Sequence, residues 1–135
     1  MAATWSEMFP PSPSFTEKDI PSQEGRVFLI TGGSAGIGYE VAKALYHLNG
    51  RVYITSRTAA SAQKAISSIQ SSSPHPSQQV QSGSGSIHCL LLDLSDLSTM
   101  KSTAEDFLSK EKRLDVIWHN AGTMVRVSAT AYRTL

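Results

Sequence analysis

From Arg26 onward the chain alternates short apolar runs with longer stretches whose apolar residues recur every three or four positions. The first run, RVFLIT (26–31), ends in glycines and reads as a strand buried on both faces of a parallel sheet. Beyond it Ile37, Val41, Leu45 and Leu48, with Ala44 between, fall at helical spacing, while Glu40, Lys43 and His47 point elsewhere. Asn49 and Gly50 end this helix, with Gly50 the expected left-handed residue, and RVYITSR supplies a second strand. A second helix is predicted over 59–69, with Ala62, Ala65, Ile66 and Ile69 inward. IHCLLLDL gives a third strand and DLSTMKSTAEDFLSKEKR a third helix, with Leu97, Met100, Ala104, Phe107 and Leu108 at core spacing and Ser98 as its cap. LDVIWHNAG gives a fourth strand. About four strands alternating with three helices predict an α/β fold, a parallel sheet with helices on both faces. The right-handed crossover rule sets strands two and three to one side of strand one.

The segments that break this pattern divide the chain. Residues 1–24, rich in proline and serine around Trp5, Met8, Phe9 and Phe15, read as an irregular arm pressing its large side chains onto the domain. The domain runs over 25–125, interrupted by a Ser/Gly-rich surface loop at 71–86 and followed by a divergent tail at 126–135. The 135 residues carry 12 Lys plus Arg against 11 Asp plus Glu, with no basic block to meet nucleic-acid phosphates. The single cysteine, Cys89, sits in an apolar context and excludes an internal disulfide framework. The first residues lack the charged-then-apolar pattern of a leader, and no apolar run approaches the ~20 residues of a membrane span, so a cytoplasmic setting is expected.

The glycines after the first strand need a reason. A pyrophosphate must be met closely by free N–H groups at a helix start, and side chains would stand in the way. Gly32 permits a tight turn, Gly36 lets backbone approach a phosphate, and Gly38 lets the helix lie close to the sheet, with Gly33 as an extra. The spacing T-G-x-x-x-G-x-G departs from G-x-G-x-x-G, but it follows a strand and opens a helix, as a dinucleotide site requires. At the end of the second strand stands Arg57 in place of the acidic residue that would accept from the ribose hydroxyls of NAD. A guanidinium suits a 2′-phosphate, so NADP is favoured over NAD; a plain solvated arginine is the alternative.

TGGSAGIG, LDLSD and HNAG, in that order at the ends of successive strands, resemble the short-chain dehydrogenase/reductase family. The stretches MFPPSPSFTEKDI and LSKEKRLDVIWHNAG are similar to fungal members related to the retinol dehydrogenase type and to WW-domain oxidoreductases. The resemblance implies the N-terminal half of a Rossmann-like fold binding a nicotinamide dinucleotide, and a small-molecule alcohol or carbonyl as substrate. It places Thr31, Gly32, Ser34, Gly36, Ile37 and Gly38 around the pyrophosphate and adjoining ribose, Arg57 at the adenosine phosphate, and Asp93 with Leu94 at the adenine edge. An aspartate capping the following turn remains the other reading of Asp93. Asn120, Ala121 and Gly122 match N-N-A-G, the asparagine tying neighbouring strands and the small residues leaving room beside the cofactor. His119 departs from that pattern and reads as a tolerated variant.

The family's proton donor is a Tyr-x-x-x-Lys pair dozens of residues beyond N-A-G, and no such pair follows Gly122 here. Tyr132 has only Arg133, Thr134 and Leu135 after it. The expectation is therefore a truncated copy, with a changed reading frame or splice near Val125 and no catalytic residue present. A non-catalytic nucleotide-binding module and an inactive remnant stand as alternatives to the oxidoreductase reading.

Overall fold

A computed structural model describes residues 12, 14–16, 19–73 and 85–122. Trp5, Met8 and Phe9 of the arm, positions 74–84 of the Ser/Gly-rich loop, and Val125 with the tail at 126–135 lie outside them.

The elements follow in the order β1 (Val27–Ile30), α1 (Gly36–His47), β2 (Arg51–Ser56), α2 (Ala59–Ser71), β3 (Ser86–Leu91), α3 (Ser98–Lys110) and β4 (Val116–Trp118). The four strands are parallel and ordered β3-β2-β1-β4, so the chain steps outward from β1 on one side and then returns to its other side. This is a Rossmann-like half, with β2 and β3 to one side of β1. Right-handed crossovers dictate that α1 and α2 share one face and α3 takes the other. On the first face Ile30, Val52, Ile54 and Ile87 pack with Ala42, Ala65 and Ile69. On the second, Val27, Tyr53 and Leu90 meet Phe107.

Several contacts differ from the periodicity. Helix α1 presses its smallest residues onto the sheet: Gly38 and Ala42 are buried, Val41 and Leu45 flank them, and Ile37 is 74% exposed. Counting only large apolar side chains finds the flanks of such a stripe and misses its centre. The left-handed residue closing α1 is Asn49 (φ 69), not Gly50. Asn49 N donates to the Tyr46 carbonyl and Gly50 N to that of Leu45, the paired bonds of a Schellman closure. Gly50 has a different necessity, since a Cβ there would lie 3.0 Å from the Leu45 oxygen. In α3 only Phe107 is buried; Leu97, Met100, Ala104 and Leu108, expected in the core, are exposed. Nor does Ser98 cap α3: the Asp96 carboxylate accepts from both the amide and the hydroxyl of Ser98. In the arm Phe15 is exposed, whereas Gln23 is buried and its amide donates to the Leu48 carbonyl at 2.6 Å.

The base of α3 is fixed by one carboxylate. Buried Glu111 accepts from Arg51 Nη1 at 3.0 and 3.1 Å and from the Tyr53 hydroxyl at 2.9 Å, which pins the helix end to β2. The Tyr53 ring stacks on His88 and meets Phe107 edge-on. Burial first, and then the bond to Glu111, push the Tyr53 phenol up to about 12 from its ordinary 10.0. The folded state thus favours the protonated phenol. Its contribution is fully present below pH 10 and is lost as pH rises towards 12. Denaturant unfolding across that window is expected to show a steeper alkaline loss of stability for the wild type than for Tyr53→Phe. Identical pH profiles would contradict the assignment.

Candidate functional site

The carboxyl ends of β1 and β4 meet where the strand order reverses, the position at which open α/β sheets hold ligands. Thr31 joins the two ends. Its amide donates to the Trp118 carbonyl at 3.0 Å, and its hydroxyl oxygen accepts from the amides of Asn120 and Ala121, both at 3.0 Å. Asn120 returns the connection: its side-chain amide donates to the carbonyls of Thr31 at 3.1 Å and Gly32 at 3.3 Å.

Each glycine of the loop has its own necessity. Gly32 sits at φ +67, and a Cβ would meet Ala121 at 3.1 Å. Gly33, an unexplained extra in the sequence pattern, is buried against Ile54, whose Cγ2 lies 2.5 Å from where a Cβ would be. A Cβ on Gly38 would strike Asn120 Nδ2 at 2.5 Å and the Gly32 oxygen at 2.6 Å, so its closest neighbour is the β1–β4 junction. Gly36 is at φ +59 with open space where a Cβ would project.

That open space lies at the start of α1, whose first turn has neither a side-chain cap nor an acidic residue. The other two helices differ. In α2 the Thr58 hydroxyl accepts from Ser61 N, and before α3 the Asp96 carboxylate accepts from Ser98 N. The unclaimed amides of α1, with the positive end of its dipole, form an anion cradle of the kind a pyrophosphate fills. Ser34 is steadied by Ser56, whose one hydroxyl proton is shared between Ser34 Oγ at 3.3 Å and the Thr58 carbonyl at 3.1 Å.

The remaining residues lie along the same sheet edge. Arg57 follows β2 and is exposed. Asp93 forms the turn capping that the sequence left open, its Oδ1 accepting from Ser95 N and Ser95 Oγ at 3.0 and 2.6 Å. Those bonds hold its carboxyl below the usual range, and the Arg57 guanidinium adds to the effect. Leu94 is exposed beside it, as are Ala121 and Gly122 beyond Asn120. His119 is exposed and lines an apolar cavity of about 560 Å³ that runs from Thr31 and Ala121 past Leu29 and Ile117 to α3.

Two features were missed in the sequence. Thr55 and Ser56, the last residues of β2, support the glycine loop, and their only signal is their place opposite it. Tyr39 and Lys43 also spell Tyr-x-x-x-Lys within α1, yet the Tyr39 hydroxyl pairs with Ser68 on α2 at 2.8 Å. Tyr39 packs against the α1–α2 core, away from the groove on the α3 face. Among the described residues no group of His, Cys, Asp and Glu could hold a metal ion. No helix among them is long and apolar enough to cross a membrane.

The parallel order, the glycine loop and the switch point together define a Rossmann-like half. The chain belongs to the short chain dehydrogenase family, whose model matches residues 26–134 and so continues through the tail. It is 44% identical over 120 residues to the short-chain dehydrogenase/reductase iacJ of Pestalotiopsis fici, covering 87% of this chain and 36% of the relative. A short-chain dehydrogenase/reductase of Phomopsis amygdali is 42% identical over 120 residues, covering 89% and 34%. This chain thus spans about a third of the length of those curated relatives. Among solved structures it is similar to the Pseudomonas aeruginosa RhlG/NADP active-site complex, with TM-score 0.62 and 29% identity over 76% of this chain and 36% of that one. A metagenomic short-chain oxidoreductase in complex with NADP gives TM-score 0.62 and 28% identity, covering 76% and 41%.

The crowding at Gly38 sets an expectation. Gly38→Ala should lose about 1–3 kcal/mol in urea unfolding, because neither the Gly32 carbonyl nor the bonded Asn120 amide can retreat cheaply. Gly122→Ala, with nothing within 4 Å of the added carbon, should stay within about 0.5 kcal/mol of wild type. Equal losses at the two positions would show that the junction is not the tight point.

Proposed function

We propose that this chain is the cofactor-binding part of an NADP-dependent oxidoreductase that interconverts alcohol and carbonyl groups. The observation that carries the reading is the uncapped first turn of α1 beneath the open space at Gly36. Thr31, Gly32, Ser34, Gly36, Ile37 and Gly38 would surround the pyrophosphate and the nearby ribose. Asn120, Ala121 and Gly122 would line its inner side. Arg57 would pair with the 2′-phosphate, with Asp93 and Leu94 at the adenine edge. NADP is favoured over NAD because an exposed guanidinium follows β2 and the last β2 residue, Ser56, is not acidic. That two structures similar to this chain are NADP complexes agrees with it.

When bound, the nicotinamide ring supplies hydride transfer. This chain's own residues bind and orient: the α1 amides meet negative charge, and the Asn120–Thr31 bonds hold the inner wall. The proton donor has no counterpart in Tyr39, which is committed to Ser68. That favours a second reading for these 135 residues, nucleotide binding without turnover. The retinol dehydrogenase-related subfamily and a cytoplasmic setting are part of the proposal, resting on the arm and LSKEKRLDVIWHNAG and on the single cysteine, Cys89.

Calorimetric titration tests it. The purified chain is expected to bind NADPH more tightly than NADH. Arg57→Asp should weaken NADPH by roughly 10- to 150-fold, the loss of one charge-assisted hydrogen bond. A cooperatively folded sample that ignores both coenzymes at millimolar concentration would end the proposal.

A further inference from the structure

The end of β2 does more for the glycine loop than complete the sheet. Thr55, 4% exposed, binds the loop twice: its carbonyl accepts from Gly33 N at 3.2 Å and its hydroxyl oxygen accepts from Gly32 N at 3.0 Å. Gly32 is therefore gripped from both sides, its N–H by β2 and its C=O by Asn120 beyond β4. The ladder bonds cannot supply the first of these, because Gly32 has already turned out of β1 to φ +67. Its amide must find an acceptor outside the strand register, and the Thr55 side chain provides it.

We propose that Thr55 is a positioning residue for the dinucleotide, acting through Gly32 and touching no part of the ligand. The inference rests on the cofactor reading given above. An N–H left without an acceptor turns to find one, and the Thr31–Gly32 peptide that carries it can swing about the Gly32 φ, where no Cβ resists. That rotation carries the following segment with it, and the amides at the start of α1 lose their common aim. The hydroxyl thus keeps the cradle formed before any ligand arrives, which spares the ligand the cost of ordering it.

The test compares Thr55→Val, of the same shape without the acceptor, with Thr55→Ser, which keeps it. Two readouts are taken on the 135-residue chain well below its melting temperature: NADPH affinity by calorimetry, and Gly32 amide exchange by NMR without ligand. Thr55→Val is expected to weaken NADPH roughly tenfold and to speed Gly32 exchange by a similar factor, while Thr55→Ser stays within about threefold on both. If Thr55→Val does not fold, Thr55→Ala carries the same expectation. Faster Gly32 exchange with unchanged NADPH affinity overturns the proposal and leaves Thr55 a merely structural residue. Unchanged Gly32 exchange overturns it too, since the bond would then hold nothing. Failure of the wild type to bind NADPH, with Gly32 exchange still following Thr55, sinks the functional reading and with it this role towards cofactor.

Discussion

The carboxyl edge of this sheet depends on how one hydroxyl is shared. Thr31 Oγ1 accepts two amides from the segment after β4, and Asn120 answers by donating to the two carbonyls where β1 ends. Two parallel strands would otherwise separate here, since β4 is only three residues long and its ladder stops at Trp118. With that corner closed, Gly38 can bring the start of α1 against it, and the helix dipole faces the crevice. The bare backbone of the loop is thus as much a consequence of crowding at the junction as of room needed above it.

The sheet was largely legible because parallel strands buried on both faces leave unbroken apolar runs between glycine-marked turns. VFLI and VYIT could hardly be read otherwise, and the crossover rule then ordered the strands. Helix faces were harder. Periodicity sees volume, yet α1 is seated by Gly38 and Ala42, where close approach matters more than bulk. In α3 it placed a stripe of Leu97, Met100, Ala104 and Leu108 in a core that the described residues do not build over that side.

Of the site, positions that need a backbone conformation were readable from the residues, whereas a position such as Gly33, whose need is a particular side chain on another strand, was not. Gly32 and Gly36 follow from turn and cradle geometry at positive φ. Gly33 has no local reason at all: its reason is the Ile54 side chain, 21 positions away on the next strand. Asp93 shows the converse, a residue whose family role and local role share one carboxylate, with Ser95 taking Oδ1. Its identity alone could not say which would prevail.

The bonds that close the corner join residues 89 and 90 positions apart, while the helices need only local contacts. Bringing such distant partners together costs loop entropy before any contact rewards it, so the crevice is expected to close late in folding. On the ribosome the first three strands and the first two helices can begin to associate while its far wall is still unsynthesised. Until that wall is made, three strands can pair while the crevice between β1 and β4 does not exist. A ligand that recognises only the finished corner would then act as a trap for the completed fold.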